Sequence, residues 1–151
     1  MKTMRRSRGS SLIEVLVAML IVAIGLLGVA KLNLETLRSN QTAMLRSSAV
    51  MLSYSILDRL RANRDVAVDA GYDMTLAASG ETCSVPGGVS GLAKTDLANW
   101  VDEIDDLLGE GACGGIACDD DGRCTVQVRW EDVSSLEETD DATTVSLVGA
   151  I

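Results

Sequence analysis

The pattern of apolar and polar positions divides this chain near Ala30. From Leu12 to Ala30 nineteen residues run apolar with one interruption, Glu14. As a helix rising 1.5 Å per residue, that run spans about 28 Å, close to the hydrocarbon thickness of a bilayer. Beyond it the apolar positions narrow to a stripe. Leu45, Ala49, Leu52, Ile56 and Leu60 follow one another at steps of three or four residues, which marks one face of a helix. No proline precedes Pro86, so the pattern predicts one helix from about Ser11 to Arg64, its second half lying on a folded head. Gly25 and Gly28 are its weak points, since glycine costs about 1 kcal/mol relative to alanine in a helix interior. Close approach of a neighbouring helix is a packing reason for placing them there.

Residues 73–93, with Gly80, Pro86, Gly87, Gly88 and Gly91, read as loop. Thr95 or Asp96 can cap a short helix from about Leu97 to Leu108, and Gly109 and Gly111 stop it. Leu97, Trp100, Val101, Ile104, Leu107 and Leu108 fall on one stripe of that helix, so Trp100 is assigned to the core. From Cys124 the pattern changes to period two. Thr125 to Trp130 reads as a half-buried strand, with a second strand at Thr143 to Val148 and a partner at Gly115 to Cys118. Between the first two lies an acidic stretch from Glu131 to Asp141. The fold class is therefore α+β: a long N-terminal transmembrane-to-head α-helix packed on a small antiparallel β-sheet.

A length of 151 residues suggests one domain plus its anchor. Charge is distributed unevenly along it. Residues 31–64 hold six cations against two acids, whereas residues 65–151 hold three cations against nineteen acids. So acidic a head argues against nucleic-acid binding, which needs a basic surface to displace counterions. The chain has no histidine, which removes histidine-based triads, acid–base work and metal ligation. Asp102, Glu103, Asp105, Asp106 and Glu110 read as a solvated helix face. No catalytic residue, metal site or cofactor is assigned, and the chain is read as non-enzymatic. The Asp119-Asp120-Asp121-Gly122 segment fails the calcium-loop template, because Ala117 and Val128 would occupy the first and twelfth ligand positions. A hairpin turn at Asp121-Gly122 accounts for it more simply.

Four cations, Lys2, Arg5, Arg6 and Arg8, precede the apolar run. By the positive-inside rule they place the N-terminus in the cytoplasm and the bulk of the chain outside it. All four cysteines, Cys83, Cys113, Cys118 and Cys124, then fall in an oxidising compartment where disulfides are the default. Four cysteines allow three pairings. Cys118–Cys124 across a tight turn and Cys83–Cys113 tying a loop to the end of the short helix form the favoured set, with a cysteine-bound zinc as the rival.

Glu14 is the residue that needs a reason. A charge at the centre of a membrane helix costs roughly 2.5–3.5 kcal/mol even on permissive insertion scales. An ordinary secretory signal has a shorter apolar region without an acid, and a plain signal anchor has no use for one. The sequence Gly9-Ser10-Ser11-Leu12-Ile13-Glu14-Val15, closing a basic leader and opening an apolar helix, resembles the class III signal of type IV pilins and pseudopilins. That resemblance implies cleavage by a prepilin peptidase between Gly9 and Ser10. It also implies that Glu14 pairs with the new α-amine of a neighbouring subunit and sets register in a helical assembly. Ser10 departs from the family, which usually has Phe or another large apolar residue there; the departure bears on N-methylation more than on the cut.

Asp58 to Arg64, reading DRLRANR, with Tyr72 beyond it, is similar to the end of the long helix in the minor pilins called type IV pilus modification protein PilV. Ile21 to Leu32, the phrase DLANWVDEIDDLLG and the strand ending in Trp130-Glu131-Asp132 resemble the same group, although Gly109 stands where a proline is usual. The resemblance implies a leader at 1–9, a transmembrane and assembly half of the helix at 10–30, an amphipathic half at 31–64 and an extracytoplasmic, disulfide-containing head at 65–151. Its implied partners are other minor pilins, the major pilin, prepilin peptidase and the inner membrane, with a periplasmic head that later reaches the pilus at the cell surface. The alternatives are a type II secretion pseudopilin and a signal-anchored periplasmic binding module.

Overall fold

A computed structural model describes residues 12–78, 81–131 and 142–151. The order of elements is α1 (Leu12–Ala62), α2 (Arg64–Val68), α3 (Gly91–Leu108), β1 (Cys113–Cys118), β2 (Arg123–Glu131) and β3 (Ala142–Ala150). The chain divides into two compact units, Met1–Asn40 and Gln41–Ile151. In the first, every described residue of α1 is exposed, apolar ones included. The second has its own core. This is the α+β arrangement of a long N-terminal apolar helix whose later part packs on a small antiparallel sheet.

Within the second unit α1 buries Ala49, Leu52, Ser53, Ile56, Leu57 and Leu60, the stripe that the spacing of three and four predicts. The helix ends at Ala62 and not at Arg64. Asn63 leaves helical geometry at φ −125° and ψ 48°, and its side-chain amide donates to the Tyr72 hydroxyl at 3.0 Å. A short polar side chain with a long-range partner ends the helix here, which no local periodicity signals.

α3 starts at Gly91, six residues before the expected Leu97, with Ser90 in the N-cap position. The reason lies in the stripe: Ala93, Leu97, Trp100, Ile104 and Leu108 are all buried, so the apolar face extends one turn further back. Asp96, expected as a cap, instead accepts a hydrogen bond from Tyr72. Gly109, at φ 93°, ends the helix.

The sheet is antiparallel in the order β1-β2-β3. β1 and β2 form a hairpin with Cys118 opposite Cys124. Gly122 occupies its turn at φ 77°, Asp119 N–H donates to the Arg123 carbonyl, and the Arg123 N–H donates to Asp119 Oδ1 at 2.7 Å. One face of β2, formed by Cys124, Val126, Val128 and Trp130, is fully buried against the helices.

Gly114, opposite Val128, lies on that inner face. A Cβ there would overlap the Trp100 ring and come within 2.9 Å of Ile104 Cδ1. This close approach lets α3 lie flat on β1. Gly114→Ala is expected to destabilise the head by about 1–3 kcal/mol, the usual cost of overpacking a core. Denaturant unfolding of the detergent-solubilised chain checks it; a stability equal to wild type would show that α3 has room to retreat.

Candidate functional site

The exposed apolar half of α1 is the first candidate. Glu14 stands in the first turn of the described helix, where a carboxylate also complements the helix dipole. Leu12, Ile13, Val15 and Leu16 around it are exposed. The helix is long and apolar enough to cross a membrane, by length and composition. Gly9 and Ser10, the expected cleavage positions, lie outside the described residues.

The second candidate is a polar clasp that fixes the end of α1 to α3. Arg59 donates through Nη1 to the Asp96 carbonyl at 3.0 Å and through Nη2 to Glu103 Oε1 at 2.6 Å. The Tyr72 hydroxyl donates to Asp96 Oδ2 at 2.7 Å while accepting from Asn63. Trp100 Nε1 donates to the Leu52 carbonyl at 3.0 Å, so the same two helices are also joined inside the core. In the sequence Asp58 to Arg64 stands out only through its family resemblance. The structure gives it a different task, and the signal that could have found it is the combination of Arg59, Asn63 and Tyr72 with an acid-rich helix downstream.

Burial raises the pKa of Tyr72 above its ordinary 10.0, and the hydrogen bond to Asp96 adds to the rise. A proton held more tightly in the folded state stabilises it fully below pH 10.0, and that contribution is lost as pH climbs from there through the folded pKa. Tyr72→Phe is expected to cost about 1–2 kcal/mol near neutral pH, because Asn63 and Asp96 lose a partner in a part-buried site. The gap to wild type should narrow above pH 10. Thermal unfolding of both proteins across that range measures it, and a gap independent of pH would remove the phenol from the account.

Two disulfides complete the head. Cys83 is bonded to Cys113 across a sequence separation of 30, and Cys118 to Cys124 across 6. Cys113 opens β1, just beyond the end of α3. Glu81, Asp102, Asp105, Glu110 and Glu131 line an open cleft beside Cys83. Among the described residues no group of three or more histidines, cysteines or carboxylates is placed to hold a metal ion.

Comparison with known families then bears on the N-terminal segment. Residues 4–30 match the prokaryotic N-terminal methylation motif. This is a prepilin N-terminus, of the type IV pilin-like kind. It implies processing by a prepilin peptidase and association with a membrane. No curated protein and no solved structure gives a significant match.

Proposed function

We propose that this chain is a non-enzymatic minor pilin of the PilV type, which joins other minor pilins to prime or modify a type IV pilus that also contains the major pilin. The observation that carries the reading is the prepilin motif over residues 4–30, whose apolar part is the exposed half of the same helix that packs into a small α+β head. On this reading the prepilin peptidase cuts after Gly9, the subunit waits in the inner membrane with its head in the periplasm, and the apolar half then moves into the filament. Glu14 pairs there with the α-amine of a neighbour. That pair forms in low dielectric, where Coulomb attraction is strongest.

A type II secretion pseudopilin shares the same N-terminal logic. A clean deletion in the native host distinguishes them: loss or strong reduction of surface pili with normal exoprotein secretion is the expected result. Normal piliation with failed secretion would make it a pseudopilin, and neither defect would favour an anchored binding module.

A further inference from the structure

The outer face of β1 and β2 is roofed by the segment that joins α2 to α3. One end of the roof is pinned at Met74, which is buried and exchanges two backbone hydrogen bonds with Ile116 of β1, at 2.9 and 2.8 Å. Leu76 lies over Gly115, where an added Cβ would come within 2.9 Å of it. The other end is pinned at Ala93, buried in α3. Between those two points none of the described residues is fully buried. This stretch forms a strap, and the bond from Cys83 to Cys113 fastens it to the start of β1.

Beneath the strap lies a charge. Arg129 belongs to the outward-facing set of β2, with Thr125 and Gln127, on the side away from buried Val126, Val128 and Trp130. Yet Arg129 is only 8% exposed. Its Nη2 donates to the Ala78 carbonyl at 2.8 Å, its Nε–H has no acceptor, and neither ion pair of the described residues includes it. A guanidinium so placed has given up its water for one neutral acceptor, which disfavours the closed strap. Opening rehydrates it. Little apolar burial opposes the opening, because Leu76, Ala77, Val85 and Val89 are only half-buried.

We propose that the Cys83–Cys113 bond is a redox latch, which holds the strap shut over Arg129 until a dithiol opens it. The cross-link removes most of the freedom that an open strap would gain. Cys113 is fully buried and Cys83 half-buried, so a thiolate of the dithiol attacks Cys83 Sγ, the S–S bond breaks, and Cys113 leaves as a thiolate that takes up a proton. The second thiolate of the reductant then displaces Cys83, which is protonated in turn; the dithiol ends as a disulfide and its two electrons have passed to the cysteine pair. Glu81, Asp102 and Asp105, in the cleft beside Cys83, slow attack by an anion without deciding which state the strap takes once the bond is gone. Cys118–Cys124 is no such latch, because those residues face each other in the β1–β2 ladder, which backbone hydrogen bonds keep paired. Opening presents Arg129 beside Thr125 and Gln127, a new cation on a region, residues 65–151, that holds three cations against nineteen acids.

The latch is independent of the pilin reading, and its test uses the full-length chain in mild detergent. The probe is a dicarbonyl that modifies arginine side chains in contact with water, with the modified residues mapped by mass spectrometry. In Cys83→Ala/Cys113→Ala, Arg129 is expected to react roughly tenfold faster than in wild type, while Arg59, held between α1 and α3, keeps its wild-type rate. Cys118→Ala/Cys124→Ala is expected to leave both rates unchanged. Cleavage after Glu81 by a glutamate-specific protease reads the strap itself: dithiothreitol should speed it in Cys118→Ala/Cys124→Ala, and re-oxidation should reverse the change. Adding Arg129→Met to Cys83→Ala/Cys113→Ala should bring cleavage back toward the wild-type rate, because an apolar side chain has no hydration to recover. A wild-type Arg129 rate without the Cys83–Cys113 bond, equal acceleration at Arg59, or cleavage that stays fast with Arg129→Met would each overturn the latch.

Discussion

Gly9→Val is expected to leave the protein at full length, with its basic leader attached, in the inner membrane. A peptidase that cuts within an extended leader must bring its own backbone close to the scissile bond, and only glycine leaves that space free and that conformation available. The valine side chain is branched at Cβ and restricts both. The effect should be close to all-or-none. Intact-mass measurement of the membrane-extracted protein reads it directly, and a mature N-terminus beginning at Ser10 in the variant would remove the prepilin-peptidase reading.

Replacing Glu14 should act at a later step. Its carboxylate is costly in lipid, and a pair with the α-amine of a neighbouring subunit, which only a filament brings to it, offsets that cost. Glu14→Ala is therefore expected to be cleaved and inserted as wild type, yet to fall at least tenfold in sheared pili at equal membrane levels. A tenfold loss corresponds to about 1.4 kcal/mol, modest for a charge pair in low dielectric. Unchanged incorporation would mean that register is set elsewhere.

Those two residues were legible because their chemistry is local: a glycine at the close of a basic leader and an acid in an apolar run stand out in the sequence. The fold was legible for a similar reason. The buried stripe of α1, the hairpin around Gly122 and the alternation of β2 are all periodic signals, and the architecture follows from them. What local pattern could not give were the ends of helices set by distant partners. Asn63 breaks α1 because Tyr72 is there to accept its amide, and Asp96 sits inside α3 because Tyr72 engages it from outside the helix. The tasks of Arg59 and Trp100 were hidden in the same way, since their partners lie 37 to 48 residues away.

The Cys83–Cys113 bond encloses the whole of α3 together with the Pro86-Gly87-Gly88 segment that leads into it. A protease that finds that glycine pair would sever the backbone without freeing either piece, because the cut falls inside a covalent ring. The subunit would run as one species on a non-reducing gel and separate into two only after reduction. A head nicked at that loop therefore stays a single covalent object until its disulfides are reduced.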